Sequence, residues 1–214
     1  MKYHKLVENA KKPNGFWGKM MIKAMNKGHS SLTSWGLEHM NIERTATVLD
    51  IGCGGGKTVD RLCSIVANGK VYGIDYSELS VKSSEKLNSK NILCNKAKIL
   101  QASVSDMPFD DNTFDNITAV ETYYFWPDKE NDVKEVFRVL KQGGTVMLLF
   151  EMLRTDDDPF KWEKVENMLN IKSVTPQEIR AVLESAGFEN INTYTQEGTT
   201  WLCATAQKPK DDEN

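Results

Sequence analysis

No apolar run in this 214-residue chain approaches the roughly 20 residues that a membrane-spanning helix needs, which excludes an integral helical membrane protein. Cysteine is scarce: Cys53, Cys63, Cys94 and Cys203 form neither a CxxC pair nor a ligand cluster, so a disulfide scaffold and a zinc site are both disfavoured, and no metal is expected. Reduced thiols suit a reducing compartment. The chain opens with Lys2, His4 and Lys5, but no continuous apolar stretch or small-residue cleavage site follows. It therefore reads as having no secretory leader, and a cytoplasmic location is expected. There is no internal repeat, no low-complexity block and no Pro/Gly/Ser-rich linker to divide the chain. Nor is there an overall basic field: the net charge of -3 argues against a surface built around nucleic acid.

The composition that remains is that of an ordinary globular protein, 40% hydrophobic and 27% charged. Its length suits one core with an appendage. From Thr47 onward, strand-like and helix-like segments alternate, which predicts a mainly parallel sheet flanked by helices. Strands are read at 47–51, 70–75, 97–102, 115–120, 144–151, 188–195 and 199–207, and helices at 57–67, 78–94, 129–141, 159–170 and 176–186. Thr175-Pro176-Gln177-Glu178 has capping-box spacing and a proline at the first helical position, and Gly187 stands where a C-terminal cap would. The short Gln196-Glu197-Gly198 between the last two strands predicts an antiparallel pair at one edge.

Before residue 47 the pattern changes. Trp17, Met20, Met21, Ala24 and Met25 recur at helical spacing, with Lys19 and Lys23 on the other face, and a second helix over 31–40 would carry Leu32, Trp35, Leu37 and Met40. Both need an apolar surface to cover. Seven lysines, Lys2 to Lys27, face only Glu8 before residue 30. Such a run is most often a solvated face, though an anionic substrate, RNA or a membrane surface would also suit it. Residues 208–214, Lys-Pro-Lys-Asp-Asp-Glu-Asn, read as a polar solvated tail.

The densest signal is Val48-Leu49-Asp50-Ile51-Gly52-Cys53-Gly54-Gly55-Gly56, followed by Val71-Tyr72-Gly73-Ile74-Asp75. A buried strand runs into a glycine-rich turn, and a second strand ends in a carboxylate that can accept hydrogen bonds from both hydroxyls of a ribose. A dinucleotide fingerprint counted from Gly52 and Gly54 requires glycine where Lys57 stands. A P-loop ending at Gly56-Lys57-Thr58 requires glycine where Ile51 stands. A nicotinamide-dependent oxidoreductase is thereby left as a distant alternative.

Taken in order, these motifs resemble the class I S-adenosylmethionine-dependent methyltransferases, of the methyltransferase type 11 kind. Val48–Gly56 looks like their first motif and Gly73-Ile74-Asp75-Tyr76-Ser77 their second. Met107–Asp115 is similar to the segment entering the fourth strand, and Val136–Gly144 to the helix and turn before the fifth. The resemblance covers about residues 45–151 well. It implies a Rossmann-like α/β fold: a seven-stranded, mainly parallel sheet with an antiparallel last strand and helices on both faces. Residues 45–207 would be the cofactor-binding domain, with 1–44 as an N-terminal helical lid. It also implies that Asp50, Cys53 and the Gly52 and Gly54 backbone lie against the methionine part of S-adenosylmethionine, that Asp75 holds the ribose, and that Tyr76 lies beside the adenine. The residue five before Pro108, often aspartate in the family, is Ser103, whose hydroxyl can accept from the adenine amino group. The backbone of Val104 would serve the adjacent ring nitrogen.

Methyl transfer from a sulfonium is an in-line displacement with an activated donor, so positioning and exclusion of water supply much of the acceleration. Groups that do this belong past the fourth strand, at Glu121-Thr122-Tyr123-Tyr124-Phe125-Trp126-Pro127, because ligands of open α/β sheets collect at the carboxyl ends of strands. Glu121 and Tyr124 are the catalytic candidates there, and Glu121 is also assigned to the cofactor. His29, in a polar turn beside Gly28, is the candidate base, with Trp35 facing the acceptor. The expected substrate is a small, partly apolar methyl acceptor, and S-adenosylhomocysteine the co-product. An RNA or protein methyltransferase using the N-terminal lysines, or a non-catalytic cofactor-binding module, are the other readings.

Overall fold

A computed structural model describes residue 13 and residues 15–210. Seven strands form one sheet: β1 (Thr47–Ile51), β2 (Lys70–Asp75), β3 (Ala97–Gln101), β4 (Phe114–Val120), β5 (Leu140–Phe150), β6 (Glu189–Thr195) and β7 (Leu202–Gln207). Their spatial order is β3-β2-β1-β4-β5-β7-β6. The first five are parallel, while β7 runs antiparallel to both β5 and β6. The chain steps outward from β1 to β3 and then returns to the other side of β1 as β4. Strand order therefore reverses between β1 and β4, and a crevice opens at their carboxyl ends. Ile51 is level with both Ile74 of β2 and Ala119 of β4, so the residues that follow all three strands meet at one height.

Among the described residues the helices are α1 (Gly15–Gly28), α2 (Ser30–Leu37), α3 (Lys57–Ile65), α4 (Glu78–Leu87), α5 (Ser89–Leu93), α6 (Lys129–Val139), α7 (Glu163–Leu169) and α8 (Pro176–Ser185), with a 3₁₀ turn at Tyr123–Phe125. Side chains alternate across the sheet. Leu148 and Phe150 of β5 enter the core shared with α6 and α8, where Val136, Ile179 and Leu183 are fully buried. Met147 and Leu149 enter a smaller core under α2 with Leu32 and Cys203. Val48 and Val71 pack against Val59 and Leu62 of α3. Central strands buried on both faces explain why β5 ends as a continuous apolar run, Val146–Phe150, each residue at most 1% exposed. No helix among the described residues is long and apolar enough to cross a membrane.

The capping box at α8 forms as its spacing predicts: Thr175 Oγ1 accepts from the Glu178 N–H at 3.2 Å, and Glu178 Oε2 from the Thr175 N–H at 2.9 Å. Elsewhere the structure departs from expectation. The helix predicted over 78–94 breaks at Asn88. Its fully buried amide donates to Ser84 O at 3.1 Å and to Gly56 O at 2.9 Å, using helical carbonyl capacity to tie α4 to the glycine-rich turn. The last strand begins at Leu202, three residues late, because 196–201 form a longer connection.

Among the described side chains of α1, Gly18 and Ile22 are buried and Met21 is half-buried, while Trp17 and Met20 of the predicted apolar face lie exposed. The side chains of Ala24 and Met25 lie outside the described residues. Lys208 is drawn inward rather than solvated, 5% exposed, with its ammonium donating to Asn112 Oδ1 and Phe137 O at 2.8 Å and Leu140 O at 2.9 Å. Those carbonyls end α6 and open β5, where a cation is favoured.

Candidate functional site

The crevice at the switch point is lined by the glycine-rich turn after β1, by Asp75 and Tyr76 after β2, and by Glu121, Thr122 and Phe125 after β4. Pro13, Ile22, His29, Ser30 and Thr33 complete it from the N-terminal segment. Two ties hold that segment in place. Ser77 Oγ donates to Pro13 O at 3.0 Å, and the Arg61 guanidinium of α3 donates to Ser30 O and Ser30 Oγ, each at 3.0 Å.

One end of the crevice is built on two buried carboxylates. Asp75, 8% exposed, accepts from the Gly54 N–H through Oδ2 at 2.9 Å and from the Ser77 N–H through Oδ1 at 2.8 Å. Burial raises its pKa, and those backbone donors oppose the shift. Asp50, 2% exposed, accepts from Thr118 Oγ1 at 2.7 Å. Its pKa is raised to about 7, chiefly by burial, with the Thr118 hydroxyl opposing and Asp75 adding. Gly52 and Gly54 have φ of +68° and +50°, a backbone region that side chains disfavour. A Cβ on Gly52 would stand 2.3 Å from Thr122 Oγ1. At Gly54 only the Gly52 carbonyl, at 3.9 Å, lies near that position, so the turn presents bare backbone to the crevice.

The other end carries a different set. Glu121 closes β4 with φ of +57°. Its Oε1 accepts from the Glu151 N–H and lies 3.5 Å from the Tyr124 hydroxyl, which itself accepts from the Met152 N–H at 3.0 Å. Burial pushes the Glu121 carboxyl up to about 8; the Glu151 N–H opposes this and the Glu151 carboxylate adds to it. The Tyr124 phenol is raised as well, by burial first and Glu121 second. His29 Nε2 lies 3.8 Å from Glu151 Oε2. Burial lowers the imidazole pKa against the pull of Glu151, favouring the neutral ring. His29, Glu121 and Glu151 each offer a donor atom, all within 4.8 Å of one another, from three separate parts of the chain.

The crevice thus brings together Asp50, Gly52, Cys53, Gly54, Asp75, Tyr76, Glu121 and His29 from the sequence prediction. Cys53 is buried, its thiol 3.8 Å from Ser84 Oγ and held protonated by burial. Tyr124 stands behind the wall, touching it through Glu121. Ser103 and Val104 lie outside this lining. Ser103 Oγ accepts from the Ser105 N–H at 3.2 Å, and Val104 is 7% exposed in the main core. Trp35 does not face the crevice as expected; its ring packs on His39 and Trp201, with centroids 5.0 and 5.9 Å away. Arg61 and Glu151 were not anticipated. Glu151 immediately follows β5, so the carboxyl-end rule that selected Glu121 would have found it. Arg61 carries no motif.

Residues 49–148 match the methyltransferase domain family. The uncharacterized methyltransferase YdaC of Bacillus subtilis is 27% identical over 183 residues, 85% of this chain and 93% of that protein. The ubiquinone/menaquinone biosynthesis C-methyltransferase UbiE of Cronobacter sakazakii is 31% identical over 181 residues, 73% of this chain and 72% of that protein. The chain spans less than half the length of the sterol 24-C-methyltransferase and demethylmenaquinone methyltransferase that it also matches. Among solved structures, the putative methyltransferase in complex with the Haloferax volcanii Trm112 activator superposes with a TM-score of 0.74 at 20% identity, covering 88% of this chain and 93% of that one. The bare glycine backbone and the buried Asp75 fit S-adenosylmethionine, which offers a ribose and no phosphate. With the fold, the ordered motifs and these relatives in agreement, the chain belongs to the class I S-adenosylmethionine-dependent methyltransferases, enzymes that use that cofactor as methyl donor.

Proposed function

We propose that the enzyme methylates a small, partly apolar acceptor, with His29 receiving any proton the acceptor must release. The observation that carries this reading is the N-terminal cover. Pro13, Ile22, His29, Ser30 and Thr33 lie across the carboxyl ends of the strands, leaving a partly covered cleft between Asp75 and Glu121 that suits a small molecule better than a folded macromolecule. Val120, Phe125 and Ile22 supply its apolar lining. Relatives named for quinone and sterol methylation favour the same acceptor class.

S-adenosylmethionine supplies a methyl group already activated on a sulfonium. Asp75, fixed by two backbone donors, would hold the ribose, and the Gly52–Gly54 backbone and Asp50 the methionine part. Tyr76, Ser103 and Val104 are assigned to the adenine by resemblance. His29, neutral because it is buried, takes the acceptor proton at Nε2, and the Glu151 carboxylate at 3.8 Å stabilises the resulting imidazolium. Glu121 and Tyr124 form a hydrogen-bonded wall that fixes the end of β4 against Met152. The cover that α1 and α2 lay over the crevice would limit the access of water.

The test is transfer of labelled methyl from S-adenosylmethionine to a panel of phenols, hydroquinones, sterols and amines, run beside total RNA and protein. Turnover on a lipophilic small molecule that falls at least tenfold in His29→Ala supports the reading. Transfer only to RNA or protein, or full activity of His29→Ala on every accepted compound, would sink it.

A further inference from the structure

On α1, Phe16 is 70%, Met20 52% and Trp17 41% exposed, three large apolar side chains within little more than one turn. The Phe16 and Trp17 rings meet edge to face at 5.8 Å. Among the described side chains of the same helix, Gly18 and Ile22 are the buried ones, and Ile22 lines the crevice. The outward stripe is therefore not the helix's means of attachment to the domain. Such clusters on a monomer mark interaction surfaces.

Charge selects the occupant. The sequence of α1 contains Lys19, Lys23 and Lys27 and no acidic residue. The whole chain carries -3, yet seven lysines and a single acid precede residue 30. A helix of exposed aromatic and methionine side chains whose sequence is basic and free of acids has the composition of one lying in an anionic membrane interface. A two-fold pair of chains through α1 would bring two basic, acid-free helices together, which like-charge repulsion disfavours.

We propose that α1 docks the enzyme on the surface of an anionic lipid bilayer, with Phe16, Trp17 and Met20 entering the headgroup boundary. The inference is independent of the acceptor's identity. It has a functional corollary: Ile22 and His29, on this helix and the turn after it, would bring the mouth of the crevice close to the bilayer.

The test is co-sedimentation of the full chain with vesicles of phosphatidylcholine alone and of phosphatidylcholine mixed equally with phosphatidylglycerol, at low and high salt. The mixed vesicles are expected to bind at least about tenfold more tightly, with the difference lost at high salt. Phe16→Ser/Met20→Ser should weaken that binding at least about tenfold. Lys19→Glu/Lys23→Glu/Lys27→Glu should remove the preference for the anionic lipid. Affinity for S-adenosylhomocysteine by calorimetry reports whether each variant is folded. Phe16→Ser alone, at the most exposed of the three positions, decides the matter should the double variant fail that check. Three results would overturn the proposal: no binding to mixed vesicles, equal binding by the folded serine variants, or a concentration-dependent dimer in light scattering that the serine variants dissolve.

Discussion

Asp75→Asn isolates the residue on which the cofactor assignment rests most heavily. Both carboxylate oxygens accept backbone N–H groups, from Gly54 at 2.9 Å and Ser77 at 2.8 Å. Asparagine has one oxygen, so one N–H must face an NH₂ group, donor against donor. A charge-assisted hydrogen bond contributes about 1.5–3 kcal/mol, but burial raises the Asp75 pKa, and a neutral amide escapes that desolvation. The two effects oppose, and a net stability loss of about 1–2 kcal/mol is expected, or roughly 2–8 °C in Tm for a domain of this size. Cofactor affinity should fall further, because the ribose hydroxyls lose a charged acceptor: about 10- to 100-fold in Kd. Calorimetry with S-adenosylmethionine and S-adenosylhomocysteine measures the second effect, and thermal unfolding of the ligand-free protein the first. A folded Asp75→Asn that binds both ligands within about threefold of the parent would refute the assignment, since it would mean that the ribose is held elsewhere.

His29→Gln should remove the acidic limb of the kcat/KM profile, because the parent loses activity as falling pH protonates an imidazole whose pKa burial has lowered; a profile unchanged in shape would exclude His29 as the base. Arg61→Ala deletes both 3.0 Å ties to Ser30, and a several-fold drop in kcat with Tm nearly unchanged is expected if those ties hold the His29 turn over the crevice. Glu121→Gln tests linkage. The folded carboxyl, raised to about 8 from a usual 4.5, keeps a proton that the unfolded chain has lost, so parent stability declines across that pH interval and levels off above it. The variant should match the parent near pH 4.5 and exceed it, on the order of a few kcal/mol, above pH 8; parallel Tm–pH curves would contradict this. Lys208→Met strands Asn112 Oδ1 and the Phe137 and Leu140 carbonyls, and chemical denaturation should report a loss of about 2–4 kcal/mol.

Most of the fold is written locally. The strand-turn-carboxylate units at β1 and β2, the Thr175–Glu178 capping box and the apolar end of β5 each follow from a periodicity or a spacing, and each forms within a residue or two of where it is read. The end of the crevice proposed to hold the cofactor is legible for the same reason: Asp50, Gly52, Gly54 and Asp75 lie at strand ends that parallel pairing must align. Helical periodicity fixed that α1 is a helix and misjudged its buried face, because the choice between Trp17/Met20 and Gly18/Ile22 depends on what lies beneath. Asn88 reads as an ordinary helical residue until the Gly56 carbonyl comes within 2.9 Å, 32 positions away.

What the chain determined by itself, then, is its class, its order of elements and a carboxylate beyond a glycine-rich turn, the group proposed to hold the ribose, since all of these are encoded in patterns shorter than about two elements. Tertiary structure alone decided which residues meet at the other end of the crevice. His29, Glu121 and Glu151 converge within 4.8 Å although no two are closer than 30 positions in sequence, and Arg61 reaches Ser30 across 31. Such proximities arise from the return of β4 to the far side of β1 and from helices laid over strand ends, and neither leaves a periodic trace. The same separation explains the chemistry. Burial, which shifts His29 downward and Glu121 upward, is a property of the surroundings that the whole fold assembles, and no residue carries it alone.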